Sequence, residues 1–516
     1  MKDGILIGID AGTSVIKSVA FAPDGTQLAV AAIPNVYETY ADGGVEQDMG
    51  VTWASAAATL RELGEKIPGL ASRVIAISVT AQGDGLWLID KAGDPVGPAT
   101  LWLDNRAASI VEDYVATPNY DAHYKRTGTG LTVVQMSGKL AWMQRHRPEM
   151  LARATEAFHC KDWIYFKLTG ARVTDPSEAN FTFGNFRSKQ YQPDILDHLG
   201  ASAAKRLLTP VLEGTEEAGK LSAAAAKESG LREGTPVCLG YIDIVCSGLG
   251  GGLFDPSGRS GCTIVGSTGM HQRLRTSADD VQLNDERSGF TCIFPVPGMV
   301  AQMQSNMAST LNIDWLLDVA AGILAEHGTT KSRSDLLAGM DARIMEREAA
   351  KLLYHPYISR AGERGPFMDL AARASFNGLD TTATYHDMMR AVFEGLAFAA
   401  RDCYAVMGSV PEEVRITGGA ARSKALRLIL ASALNAEVRS VTREEAGAAG
   451  AAMMAAVQQK LFPDMAACAA RWIDPHLGEA VKPDAALART YEAVFPQYVA
   501  ARKAIRPVWK ALRNKP

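Results

Sequence analysis

Apolar residues near the start of the chain fall into three short runs, Ile5–Ile9, Val15–Phe21 and Gln27–Ala32, with polar or glycine turns between them. That spacing predicts a β-meander. Over Val51–Lys66 the period changes: Trp53, Ala57, Leu60 and Leu63 recur every three to four residues and predict a helix. Val74–Thr80 and Leu86–Asp90 return to strand character, and Ser137–His146 and Lys161–Leu168 to helix, with Gly170 placed to end the latter. A glycine-rich break at Gly248–Ser257 reads as a hinge. After it the strand, glycine turn, strand order starts again at Cys262–Val265. The predicted elements then run through the apolar helix Met388–Met407, the strand Val414–Thr417 and the helix Ser423–Leu434, N-capped by Ser423. Helices at Glu445–Val457, Ala466–Trp472 and Ala485–Leu512 complete the chain.

Length adds a second domain: 516 residues exceed what one core serves. Hydrophobic residues at 47% and charged residues at 21% are globular values. A net charge of −4 provides no basic footprint for nucleic acid and no polybasic membrane patch. No stretch has the length and apolarity of a membrane span, and the N-terminal residues run directly into a strand with no signal-peptide pattern. The seven cysteines are scattered, without a C-x-x-C pair, and the nine histidines show no H-E-x-x-H spacing. Buried thiols in a reducing cytoplasm are the expectation.

Chemistry concentrates where apolar runs stop. Ile5–Ile9 ends at Asp10, followed by Ala11-Gly12-Thr13-Ser14. A hairpin tip of this kind can wrap a phosphate: Gly12 permits close approach, Thr13 and Ser14 offer donors, and Lys17 adds positive charge. Asp10 can hold a hydrated Mg²⁺. An ordinary hairpin with glycine in its turn explains this segment equally well. The balance shifts with a second copy, Cys262–Val265 running into Gly266-Ser267-Thr268-Gly269, which suggests a duplicated architecture closing on a nucleotide. No Walker A pattern occurs. Val237–Asp243 reads as a buried strand ending in a lone carboxylate, either a proton acceptor at a crevice or a cap for the next helix. Ile416-Thr417-Gly418-Gly419, ahead of the helix at Ser423, can approach a base or phosphate. Gln82, Asp84, Asp104, Asn105 and Arg106 beside apolar strands can hydrogen-bond several hydroxyls of a small polyol, or form a solvated turn and an ion pair.

Taken together, these segments resemble the FGGY carbohydrate kinases, along nearly the whole chain. Gly8–Ser14 and Gly266–Gly269 look like the family's two phosphate motifs, Ser137–Trp142 its first signature, and Lys161–Trp163 with Leu168–Gly170 and Thr174-Asp175 its middle block. Gly240–Asp243 resembles the catalytic-aspartate motif, and Ala372–Phe376 and Thr417–Ala420 the adenosine-side motifs. Within the family the likeness is to erythritol kinases, through Gln82–Gly85, Thr174–Phe181 and Tyr354–Ser359. Gly83-Asp84 stands where xylulokinases usually have Met-His and glycerol kinases Arg-Glu; L-xylulose-type kinases, with Gln-Gly and then a polar residue, stay open.

The resemblance implies an α/β fold of two duplicated actin-like (ribonuclease-H-like) domains with a cleft between them, residues 1–247 and 248–516. It implies ATP-dependent phosphorylation of a terminal hydroxyl of a small polyol, with Asp243 as base and Mg²⁺ at Asp10 and Asp243. Gly12, Thr13, Ser14, Lys17, Gly266 and Thr268 would hold phosphates; Gly418, Gly419 and Ser423 would face adenosine. Gln82, Asp84, Asp104, Asn105 and Arg106 would orient the substrate. A homodimer is compatible with this. Two other classes are an actin-like ATPase, which needs no base at Asp243, and a sugar-sensing module, which would lack turnover.

Overall fold

Strand β1 (Ile5–Ala11) and β2 (Val15–Phe21) pair antiparallel, and β3 (Gln27–Pro34) completes the meander. The structure, a computed structural model, describes residues 3–513. Helix α1 (Met49–Lys66) follows, capped where the Asp48 carboxylate accepts from Val51 N–H. Its face of Trp53, Ala57, Leu60 and Leu63 is buried, as the period requires. β4 (Val74–Ala81) then lies parallel to β1. An insertion carrying α2 (Met136–His146), α3 (Cys160–Thr169) and α4 (Pro176–Phe183) precedes β5 (Ala218–Lys220) and β6 (Pro236–Leu239). Gly170 ends α3 with φ of 80°. Helix α5 (Asp243–Gly250) leaves β6.

The second half supplies β7 (Ser260–Val265), β8 (Gly269–Arg275), β9 (Phe290–Ile293), β10 (Val300–Asn306), β11 (Glu413–Thr417), β12 (Glu437–Val441) and β13 (Leu477–Val481). Its main helices are α6 (Tyr385–Val406), α7 (Lys424–Leu434), α8 (Ala446–Gln458) and α9 (Ala485–Arg513). The sheets run β3-β2-β1-β4-β6-β5 and β9-β10-β8-β7-β11-β12-β13. From β3 and from β10 onward the pairings repeat in one sequence: two antiparallel, two parallel, one antiparallel. That repeat is the duplication inferred from the two glycine turns.

Between the sheets, α5 and α8 cross at very short range. A Cβ on Gly450 would lie 2.0 Å from the Cys246 carbonyl oxygen, and one on Gly8 in β1 would lie 2.1 Å from that of Ala448. Helix α8 therefore rests on the first sheet although its sequence belongs to the second half. Two expectations change here. Gly248 packs against the Gln272 side chain and Leu253, and Gly250 against the Ala446 carbonyl oxygen where α5 meets α8, so this part of the break is close-packed helix, in which small size is required. Strand character stops at Leu239, four residues short of where it was expected, and Asp243 opens α5.

Candidate active site

Both glycine turns face outward at the ends of equivalent hairpins. In the first, Gly12 N–H donates to Val15 O at 3.0 Å, and Gly12 O accepts from Asn35 Nδ2 at 2.9 Å. In the second, Gly266 N–H donates to Thr268 O at 3.1 Å, while Gly266 O accepts from the backbone and hydroxyl of Thr310. Ser14, Ser267 and Thr268 are exposed and can offer hydroxyls to a ligand. Thr13 is committed internally: its hydroxyl donates to Gln82 Oε1 at 3.0 Å and accepts from Trp102 Nε1 at 2.9 Å. Gln82 donates in turn to Gln47 at 3.0 Å, and Gln47 to Asn35 at 2.9 Å. A ring of amides thus ties the first turn to the Gln82–Gly85 loop.

Two carboxylates, Asp10 and Asp243, are partly accessible. Asp10 lies at the end of β1, in register with Lys17 and Thr80. Desolvation raises its pKa to about 6; Lys17 opposes that rise and Glu445 adds to it. Asp243 is raised to about 7, first by desolvation and then by the negative charge of Asp10, against the N–H groups of Ile244 and Gly83 that bond it. An acid of this strength is half ionised at neutral pH, which suits a general base.

The polyol-type loop turns inward at Asp84, which holds φ of 57°, a left-handed conformation that Asp tolerates better than most residues. Its carboxyl is buried, and Asp84 Oδ1 has no hydrogen-bond partner. Burial pushes it up to about 8; Lys139 pulls it down, Asp243 raises it further and Arg364 lowers it. Lys139, also buried, is pushed down to about 8 and donates to the carbonyls of Asp104 and Val133. Glu178 on α4 is buried beside the loop, its Oε2 3.4 Å from Asp84 N and its Oε1 unpartnered, and burial raises its carboxyl well above the usual range. Unpartnered buried oxygens of this kind demand a donor.

Several expected site residues are engaged elsewhere. Lys17 pairs with Glu445 at 2.8 Å, so its charge is already neutralised. Arg106 is held by Asp104 at 2.7 Å and Glu46 at 2.8 Å and lies over the Trp142 ring, which makes Asp104 and Arg106 a buried brace rather than free substrate ligands. Asn105 packs against Gly43. Ser423 caps α7 through Leu426 N–H and donates to Asp341 at 2.7 Å. Gly418 is pressed against Val265, whereas Gly419 has open space above it. Glu178 and Lys139 lie in segments quoted for their resemblance, and that resemblance was the available signal. Arg364, whose charge lowers Asp84, carries no local signal at all.

The family model of the FGGY carbohydrate kinases matches in both parts, the N-terminal domain over residues 5–250 and the C-terminal domain over residues 263–459. The chain is 50% identical over 513 residues to the erythritol kinase of Brucella abortus (strain 2308), covering 99% of this chain and 98% of that one. It is 26% identical to the xylulose kinase of Staphylococcus xylosus, over 96% and 98% of the two chains. The crystal structure of xylulose kinase from Rhodospirillum rubrum superposes with a TM-score of 0.88 at 26% identity, over 98% of this chain and all of that one. Matching both halves of the family model and sharing the duplicated fold of its relatives, the chain belongs to the FGGY family of carbohydrate kinases.

Proposed function

We propose that this kinase transfers the γ-phosphoryl group of ATP to a terminal hydroxyl of erythritol. The carrying observation is the 50% identity, across nearly the full length of both chains, to a curated erythritol kinase. The division into residues 1–247 and 248–516 belongs to the same proposal, with α8 of the second part packed on the sheet of the first.

Asp243 takes the proton of the attacking hydroxyl. Its raised pKa keeps the carboxylate basic enough to accept a proton and acidic enough to be ionised near neutrality. Phosphoryl transfer depends on positioning and charge neutralisation more than on covalent help. Ser14 and Thr268 offer hydroxyl donors to the phosphates, Gly12 and Gly266 keep side chains out of the two turns so that phosphate can approach, and Thr13 fixes the first turn to the substrate loop. Asp84 accepts from the substrate's hydroxyls through its unpartnered oxygen. The open face of Gly419 suits the adenosine side.

The residues fit a Mg²⁺ ion. The negative charge of Asp10 bears on Asp243, and among the described residues no group of three or more metal-ligating side chains builds a protein-only cage. Mg²⁺ prefers this arrangement of one or two carboxylates completed by water and phosphate oxygens. When bound, it neutralises charge on the transferring phosphate.

Coupled ADP release, measured with C4–C6 polyols and ketoses, tests the proposal. Erythritol is expected to give the highest kcat/KM; turnover of a ketopentose with none of erythritol would overturn the substrate assignment.

A further inference from the structure

Lys161 of α3 is a buried cation set between two buried carboxylates, Asp162 at 2.6 Å and Asp175. Asp175 is the N-cap of α4, and its Oδ1 accepts from the Ser177 N–H at 2.8 Å and from the Ser177 hydroxyl. With its own proton committed there, the Ser177 hydroxyl accepts from the Ile242 N–H at 2.9 Å. Ile242 immediately precedes Asp243 and is the N-cap of α5; its carbonyl accepts from the Val245 and Cys246 N–H groups at 3.0 and 3.1 Å. The residue before it is held as well. The Tyr241 carbonyl accepts from the Thr80 hydroxyl at 2.6 Å, and Thr80 stands in register with Asp10 on β1. The Ile242 side chain packs against Gly83, whose N–H bonds Asp243: a Cβ on Gly83 would lie 2.1 Å from Ile242 Cδ1. A line of contacts thus runs from a buried ion pair to the backbone that carries the candidate base.

Stability alone does not call for this arrangement. Taking a lysine and two carboxylates out of water is costly, and apolar residues of similar volume often hold a core as well. What the line of contacts supplies is direction. We infer that Ser177 is a positioning residue: held by the Lys161–Asp175 pair, it fixes the backbone from which Asp243 projects and so aims the base at the incoming hydroxyl. Only a hydroxyl serves here, because a single oxygen gives a proton to Asp175 and accepts one from Ile242. Alanine would leave the buried Ile242 N–H unpaired and free the first turn of α5 to shift. This inference rests on the role proposed above for Asp243.

The test is a double-mutant cycle on phosphoryl transfer, with S177A, S177T, D243N and S177A/D243N compared with the parent enzyme in single turnovers of erythritol and ATP. S177A is expected to slow transfer about ten- to hundredfold, the scale of a misplacement of about 1 Å, with the erythritol KM and the ADP-induced thermal shift little changed. S177T, which keeps the hydroxyl, should recover most of that rate. In the D243N background the same S177A change should slow transfer less than about twofold, because the group it aims is gone. Where S177A does not fold, S177C, with a weaker acceptor, goes through the same cycle. Equal slowing in both backgrounds overturns the positioning role, as does an unchanged rate in S177A or an S177T rate no better than that of S177A. Transfer by D243N at the parent's rate would instead strike the base itself, and the positioning role with it.

Discussion

Lys17 and Glu445 are joined across the two halves of the chain, Nζ lying 2.8 and 3.1 Å from the two carboxylate oxygens. Lys17 sits on β2 beside Asp10, and Glu445 immediately precedes α8. The pair ties the first phosphate turn to the helix that fills the space between the sheets. Lys17→Met should therefore act through the tie rather than through phosphate binding. As a partly exposed pair it is worth about 0.2–1 kcal/mol. The expected result is a small fall in melting temperature and an ATP KM changed less than about threefold. A much larger rise in ATP KM with unchanged stability would return Lys17 to the phosphates.

Asp243 is held near pKa 7 and Asp10 near 6, both above the usual carboxylate range. A base must be ionised, so kcat/KM for erythritol should fall as pH drops below about 7 in the free enzyme. Stability runs the other way. A carboxyl whose folded pKa is raised binds its proton more tightly in the native state, so its contribution is present at acid pH and lost as pH rises through 7. The loss runs from the unfolded value of 3.8 up to about 7, so Asp243→Asn should raise the melting temperature clearly more at pH 8 than at pH 5. A pH-independent change would disconnect the shift from ionisation.

Asp84→Asn keeps a side chain that tolerates the left-handed backbone at this position but removes an acceptor oxygen. The erythritol KM should rise about tenfold, with the ATP KM nearly constant. A raised ATP KM at unchanged erythritol KM would place Asp84 outside the polyol pocket.

Much of this arrangement was written locally. The turn at Gly12–Ser14, the stop at Gly170 and the cap at Ser423 each depend on a few adjacent residues, and the structure has them all. Asp243 was misplaced onto a strand because Val237–Cys246 is apolar throughout, and periodicity does not separate a buried strand from a buried helix in so short a run. For Asp104 and Arg106 the sequence left substrate contact and an ion pair both open, because a charged cluster looks the same in sequence whether it faces a ligand or itself; the structure shows the ion pair and adds Glu46. The packing of α4 on β9, which joins the two parts of the chain, is set by sheet order that no local pattern encodes.

The crossing of α8 over β1 is similarly long-range and sterically exacting. Gly8→Val places side-chain carbon where the Ala448 carbonyl oxygen lies, 2.1 Å from an ideal Cβ. Backbone rather than a flexible side chain would have to move, so a loss of at least about 1–3 kcal/mol is expected. Thermal unfolding checks it; an unchanged melting temperature would mean the crossing is loose.

The most direct test of the central claim is a single-turnover measurement on Asp243→Asn with erythritol and ATP, alongside ADP binding by thermal shift. Loss of the base should slow phosphoryl transfer by about 10²–10⁴-fold while the ADP-induced shift is retained. Transfer at a near-normal rate in the variant would contradict the account.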